Sequence, residues 1–231
     1  MREIVLDTET TGFEPEQGDR IVEIGAVELL GHVPTGRVFH EYINPERAMP
    51  QEAFQVHGLG DEFLRDKPVF REVGQKFLDF VGDAKLVIHN AAFDMKFLNA
   101  ELGWLGLRQL PWDQAVDTLG IARQRFPGSP ASLDALCRRF GIDNSNRTLH
   151  GALLDSEILA EVYLELIGGR QPDFGLSTDH GASGTLENEW RPQPRPNKLP
   201  SRITAEEAAA HAAFVAKLGD DVLWPQAVPE G

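Results

Sequence analysis

A chain of 231 residues that is 42% apolar, 25% charged and 8% aromatic can build one well-packed core plus an appendage, which excludes collagen-like and wholly disordered architectures. Its single cysteine, Cys137, excludes an internal disulfide and a cysteine-based zinc site, and no apolar run reaches membrane-span length, so a reducing, cytoplasmic setting is expected. A net charge of −14 excludes a protein that coats nucleic acid through a basic face, but it is compatible with an enzyme that grips a few nucleotides with the help of divalent cations.

In chain order, Glu3–Asp7, Arg20–Leu30 and Arg37–Asn44 read as three strands separated by short turns at Thr11-Gly12 and Gly31-His32, an antiparallel meander. A helical pattern follows over Val69–Val81, then a buried-type strand at Lys85–His89, a helix at Phe93–Leu102 and a short strand near Ala115–Asp117. Helices at Leu119–Arg125, Ser132–Phe140 and Leu153–Leu166 complete the pattern. This order predicts an α/β domain over residues 1–168, with a mixed sheet flanked by helices and its active site at strand ends. Residues 169–203 are rich in glycine and proline and read as a flexible linker. Beyond it, Thr204-Ala205-Glu206-Glu207 fits a capping box opening a short helix that Gly219 would close, within a terminal segment 204–231.

Three segments carry chemistry. Strand alternation leans Asp7 and Glu9 to one face at the end of an apolar central strand, a position where charge is disfavoured unless it is used. Asp94 opens a helix just beyond the strand Leu86-Val87-Ile88. His150 and Asp155 lie five residues apart around the start of another helix; they face one another only if His150 sits in the preceding loop, which Gly151 allows. Each signal is ordinary alone, since acids favour first helical turns and lone histidines are common on surfaces. Joined, they bring four like charges toward one pocket, which one or two hard divalent cations, Mg²⁺ or Mn²⁺, would neutralise. Two such ions suit hydrolysis of a phosphodiester, and a neutral histidine can take the proton of the attacking water.

Asp-x-Glu-Thr-Thr-Gly, His-Asn-Ala-Ala-Phe-Asp and His-x4-Asp, in that order over most of residues 3–167, resemble the DEDDh 3′–5′ exonucleases. Val56-His57-Gly58-Leu59, Phe126-Pro127-Gly128 and Ser132-Leu133-Asp134-Ala135-Leu136-Cys137 extend the resemblance to the proofreading subunits of bacterial replicative polymerases. The resemblance implies a ribonuclease-H-like fold, Asp7, Glu9, Asp94 and Asp155 as metal-binding carboxylates around two cations, and His150 as general base. It further implies substrate contacts from Thr10, Thr11, Val56, His57, Asn90 and Phe93, together with Asp7, Glu9 and Asp155. Asp117 reads as a helix cap and stays outside the catalytic set.

The implied activity is removal of misincorporated 3′-terminal nucleotides from DNA. Through residue 170 the chain has 17 basic and 27 acidic residues, so weak DNA affinity and a partner that holds the duplex, a polymerase catalytic subunit, are expected. Phe214, Leu218 and Trp224 are the expected anchors of the terminal helix in a partner groove. Gln171, Phe174 and Leu176 loosely resemble a sliding-clamp motif. Two rival readings stand beside this one: an RNA-trimming exonuclease, and a non-catalytic scaffold between polymerase and clamp.

Overall fold

Ile4, Val5 and Leu6 are apolar in succession, so a strand holding them needs cover on both faces. In the computed structural model, which describes residues 1–145, 149–168 and 203–217, that cover is complete and all three are fully buried. Their strand, β1 (Arg2–Thr10), is the centre of a five-stranded sheet. β2 (Ile21–Leu30) and β3 (Val33–Tyr42) continue from it antiparallel on one side. On the other side β4 (Lys85–Ile88) and β5 (Ala115–Asp117) run parallel to it, giving the order β3-β2-β1-β4-β5. The expected mixed sheet is therefore present. Gly31 and His32 close the β2–β3 hairpin at φ values of 59° and 66°, the pair of positive angles that a two-residue turn of the right twist requires.

Helices cover both faces. α1 (Gln51–His57), α2 (Asp61–Leu64) and α3 (Phe70–Val81) precede β4, and α4 (Ala91–Trp104) follows it. After β5 come α5 (Thr118–Arg125), α6 (Leu133–Phe140) and α7 (Ala152–Leu166). Ile4 and Leu6 pack in one core layer with Phe70, Phe77 and Leu98 of α3 and α4; Val5 packs in the other with Leu136 and Val162 of α6 and α7. Among the described residues no helix is long and apolar enough to cross a membrane.

Most elements match the sequence pattern to within two residues, with four departures. β1 runs on to Thr10, because β2 pairs with it throughout, so Glu9 lies inside the strand. Its connection to β2 is not a tight turn at Thr11-Gly12 but a loop with a 3-10 turn at Pro15–Gln17. That loop is gathered by the Asp19 carboxylate, which accepts from Thr11 Oγ1 at 3.2 Å and from the Glu14 backbone N–H at 3.1 Å. β3 starts four residues earlier than Arg37, because the two-residue turn returns the chain into the sheet at once. Finally, α1 and α2 have no counterpart in the pattern: they are seven and four residues long and begin after Pro50 and Gly60 without a side-chain cap.

A separate unit, from Gly175 on, contains α8 (Ala205–Ala216). Its capping box forms as expected: Glu207 N–H donates to Thr204 Oγ1 at 3.2 Å, and Thr204 N–H donates to the Glu207 carboxylate at 2.9 Å. Residues 169–202 of the expected linker and the terminator Gly219 lie outside the described residues.

One close approach fixes α7. A Cβ on Gly25 of β2 would lie 2.1 Å from the Leu153 backbone nitrogen, so the first turn of α7 sits directly on the strand. Ser156 Oγ locks the contact by donating to the Gly25 carbonyl at 2.9 Å. Gly25→Ala should push α7 outward and cost about 1–3 kcal/mol, read as a lower urea midpoint at constant slope. An unchanged midpoint would mean that α7 shifts without penalty.

Candidate active site

The site grows from the far end of β1. β4 pairs with β1 only along Glu3–Val5, so the backbone of Thr8 lies beyond the reach of that partner. Asp94, in the first turn of α4, takes its place: its Oδ1 accepts from Thr8 N–H at 3.0 Å and from Thr8 Oγ1 at 2.7 Å. Asp94 is 3% exposed, and burial pushes its pKa up to about 7 in spite of those hydrogen bonds. Alternation sends Asp7 and Glu9 to the opposite face from Thr8, the face on which Val5 meets α7.

From that face comes the third segment. Gly151 is extended at φ −151° and caps α7, so His150 sits in the loop before the helix and turns back toward its first turn. Its backbone N–H donates to the Val56 carbonyl at 3.1 Å, and its Nδ1 lies 3.3 Å from Asp155 Oδ2. Ligand atoms of Glu9, His150 and Asp155 all lie within 4.8 Å of one another. Glu9 and Asp155 are buried while His150 is exposed, so the cluster opens to solvent through the imidazole.

Asp7, Glu9, Asp94, His150 and Asp155 line one cleft of about 610 Å³, together with Asn90 and Phe93. A second cleft of about 530 Å³ is lined by Thr10, Thr11, Val56 and His57 and shares Thr8, Glu9 and Phe93 with the first. Every residue proposed from the sequence within residues 1–168 therefore borders one of two pockets that meet at Glu9 and Phe93. Val56 and His57 end α1; Val56 is 47% exposed and His57 is buried. Burial lowers the His57 pKa and keeps the ring neutral; Nδ1 accepts from Leu59 N–H at 3.0 Å, which leaves the proton on buried Nε2. Of the tail residues, Phe214 is exposed on α8; Gln171, Phe174, Leu176, Leu218 and Trp224 lie outside the described residues.

Some contributors have no signature in the sequence. Asp117 does cap α5, accepting from Leu119 N–H at 3.1 Å, but the same oxygen also accepts from Asn90 and Ala91 N–H at 3.1 and 3.3 Å. It thereby holds Asn90 in its left-handed conformation (φ 65°) and anchors the start of α4, three residues before Asp94. Thr8, between the two acids of β1, is the donor that fixes Asp94. Phe13, 79% exposed on the loop after β1, stands edge-on to Phe93 with ring centroids 6.3 Å apart.

The donor set fits divalent cations. It consists of the carboxylate oxygens of Asp7, Glu9, Asp94 and Asp155, with the His150 imidazole beside them, and a buried acid whose ionisation is opposed by its surroundings gains from a neighbouring cation.

Comparison with known proteins agrees with this geometry. The exonuclease family model matches residues 4–163. The DNA polymerase III subunit epsilon of Rickettsia conorii is 50% identical over 222 residues, covering 94% of this chain and 96% of the relative. The same subunit of Escherichia coli is 46% identical over 241 residues, covering 96% and 97%. Among solved structures, the nuclease domain of 3′hExo, a DEDDh family member bound to rAMP, shares the fold with a TM-score of 0.61 at 21% identity, covering 72% of this chain and 91% of that one. Similar over nearly its whole length to these subunits, the chain belongs to the exonuclease family and, within it, to the DNA polymerase III epsilon subunits.

Proposed function

We propose that the chain removes misincorporated nucleotides from the 3′ end of DNA as the proofreading subunit of a replicative polymerase. The observation that carries this is the meeting of Asp7, Glu9, Asp94, His150 and Asp155 in one cleft, in a chain akin to epsilon subunits. Exonuclease chemistry is assigned to residues 1–168, with 169–203 as linker and 204–231 as the polymerase-docking segment.

In this reading Asp7, Glu9, Asp94 and Asp155 hold two divalent cations, Mg²⁺ or Mn²⁺. The chemistry such ions supply when bound is polarisation of the scissile phosphodiester and neutralisation of the charge that develops on it. The protein supplies position and a proton acceptor. With Nδ1 turned toward Asp155 Oδ2, His150 keeps its proton there and presents Nε2 to accept the proton of the attacking water. The buried Asp155 carboxylate then stabilises the imidazolium that forms. Thr10, Thr11, Val56 and His57 receive the terminal nucleoside, with Val56 as a wedge between bases and Asn90 and Phe93 at the boundary.

Selection of errors needs no reading of bases. A mispaired terminus costs less to unpair and enters a single-strand pocket more often. The duplex is held by the polymerase catalytic subunit, which α8 and the residues after it contact; a sliding clamp at Gln171–Leu176 is a further partner. Labelled DNA with Mg²⁺ should be shortened from its 3′ end, faster for single strands and mispaired ends than for paired ends, and EDTA should stop it. Equal rates on all three ends would refute selection by fraying, and preferential digestion of RNA would favour the RNA-trimming alternative.

The two roles in the cluster separate by mutation. Asp155→Ala and His150→Ala should each remove most turnover, a loss of at least about 100-fold, while calorimetric Mn²⁺ titration shows strong weakening for the aspartate variant alone. Matching titrations would contradict the assignment.

Crowding of acids also predicts a stability signature. Because burial raises the Asp94 pKa, its ionisation lowers stability progressively from about pH 4 to about pH 7, and the cost is fully present above that range. At pH 8 without metal, Asp94→Asn should therefore raise the melting temperature by about 2 °C or more, and saturating Mg²⁺ should raise it in the unaltered protein. A melting curve indifferent to Mg²⁺ would remove the case for a cation site.

A further inference from the structure

From Thr118 to Gly141 the chain carries four arginines and one aspartate, a local reversal of sign in a protein whose net charge is −14. The structure places this segment beside the catalytic cleft. Arg123 of α5 lines that cleft, as does the first turn of α6 through Ser132 and Asp134. Arg138 and Arg139, at the other end of α6, line a separate open concavity of about 550 Å³ with Pro130 and Ala135. Eight residues of helix span about 12 Å, so the arginine pair lies within a few nucleotides of the carboxylates.

Among the described residues, Arg138 and Arg139 are held by uncharged partners. Arg138 Nε donates to the Asp134 carbonyl at 3.3 Å, and Arg139 lies over the Phe126 ring at 4.3 Å from its centroid. All three of Arg123, Arg138 and Arg139 are exposed, and none is in an ion pair with another described residue. Arg125 serves differently, since its guanidinium donates to the carbonyls of Glu165 and Leu166 and ties α5 to the end of α7.

The two clefts give a strand its direction. A terminal nucleoside in the pocket of Thr10 and His57 places the next phosphate at Glu9, where the pockets meet. The rest of the strand then leaves through the catalytic cleft, whose far wall carries Arg123 and the start of α6. We infer that Arg123, Arg138 and Arg139 form a phosphate track for the DNA strand on the 5′ side of the bond to be cut. This rests on the nuclease reading. Guanidinium groups with no carboxylate partner among the described residues suit phosphate oxygens, and only a short stretch of backbone is engaged, in keeping with the acidity of the whole.

The test compares a single-stranded oligonucleotide of about a dozen residues, which reaches α6, with a dinucleotide, which does not. In Arg138→Gln/Arg139→Gln the kcat/KM advantage of the long substrate should fall about tenfold, through KM. The slope of log(kcat/KM) against log[salt] between about 50 and 200 mM should flatten by about 1.4 for two lost phosphate contacts, and by about 2 when Arg123→Gln is added. A fold defect would lower activity on both substrates without changing the slope. If the slope and the substrate ratio both stay at their original values, the track is refuted and an acidic protein surface becomes the occupant of these arginines. If the unaltered chain cuts neither substrate, the nuclease reading falls first and takes the track with it.

Discussion

Carboxylates gathered in one cleft repel one another, and burial penalises the ionised form of each. Asp7, Glu9, Asp94 and Asp155 are gathered in this way, and the arrangement of the sheet and its helices follows from the need to hold them there. No single element could do it. β1 contributes two acids on one face, α7 brings Asp155 to that same face, and α4 delivers Asp94 from the opposite layer around the end of the short strand β4. Each delivery has its own fastening: Thr8 for Asp94, Asp117 for the turn into α4, and the bare Gly25 for the first turn of α7. These fastenings lie outside the set of reacting groups, yet they determine whether that set exists.

Other buried acids of the domain show what the protein does when a carboxylate is structural. Glu101 accepts both forks of Arg20 at 2.7 and 2.8 Å, which holds the start of β2 to α4. Glu28 accepts from Arg2, Arg37 and Thr35, and these donors hold its pKa below the usual carboxylate range. Glu23, directly opposite Glu9 in the β1–β2 pair, shares a hydrogen bond of 2.7 Å with His40 Nε2. Like charges directly opposite one another are unfavourable, and the imidazole gives Glu23 a partner directed away from the site. Glu28 thus receives donors that favour its ionised form, whereas burial outweighs the donors of Asp94 and leaves its pKa raised.

The reacting groups were legible in the sequence because their chemistry is local: an acid on a strand of apolar residues, an acid in a first helical turn, a histidine and an acid across a helix-breaking glycine. The antiparallel meander and the mixed sheet were legible for a similar reason, since β1, β2 and β3 follow one another through short connections and β4 and β5 each precede a helix. What was not legible depends on encounters between distant segments. Asp117 has the form of an ordinary N-cap until β4 and β5 become neighbours, and only then does its carboxylate meet the Asn90 turn. α1 escaped because seven residues without a cap leave no periodic trace, yet it supplies Val56 and His57. In the loop after β1, Gly12 signals a turn; the real organiser, Asp19, acts through side-chain hydrogen bonds that no local pattern reveals.

On the proposed reading, the acidity of the chain also bears on selectivity. Fraying discriminates only while the cost of unpairing a matched terminus, a few kcal/mol, exceeds the grip of the enzyme on single strands. A broad basic surface would supply that energy for matched and mismatched ends alike, and correct nucleotides would be lost. Confining positive charge to two short helices beside the cleft keeps the grip short and salt-sensitive while still aligning the phosphate to be cut. The affinity withheld from the catalytic domain can then come from tethering, which raises the local concentration of the 3′ end without favouring either kind of terminus. Weak binding in the domain that cuts is, by this argument, a condition of accurate editing.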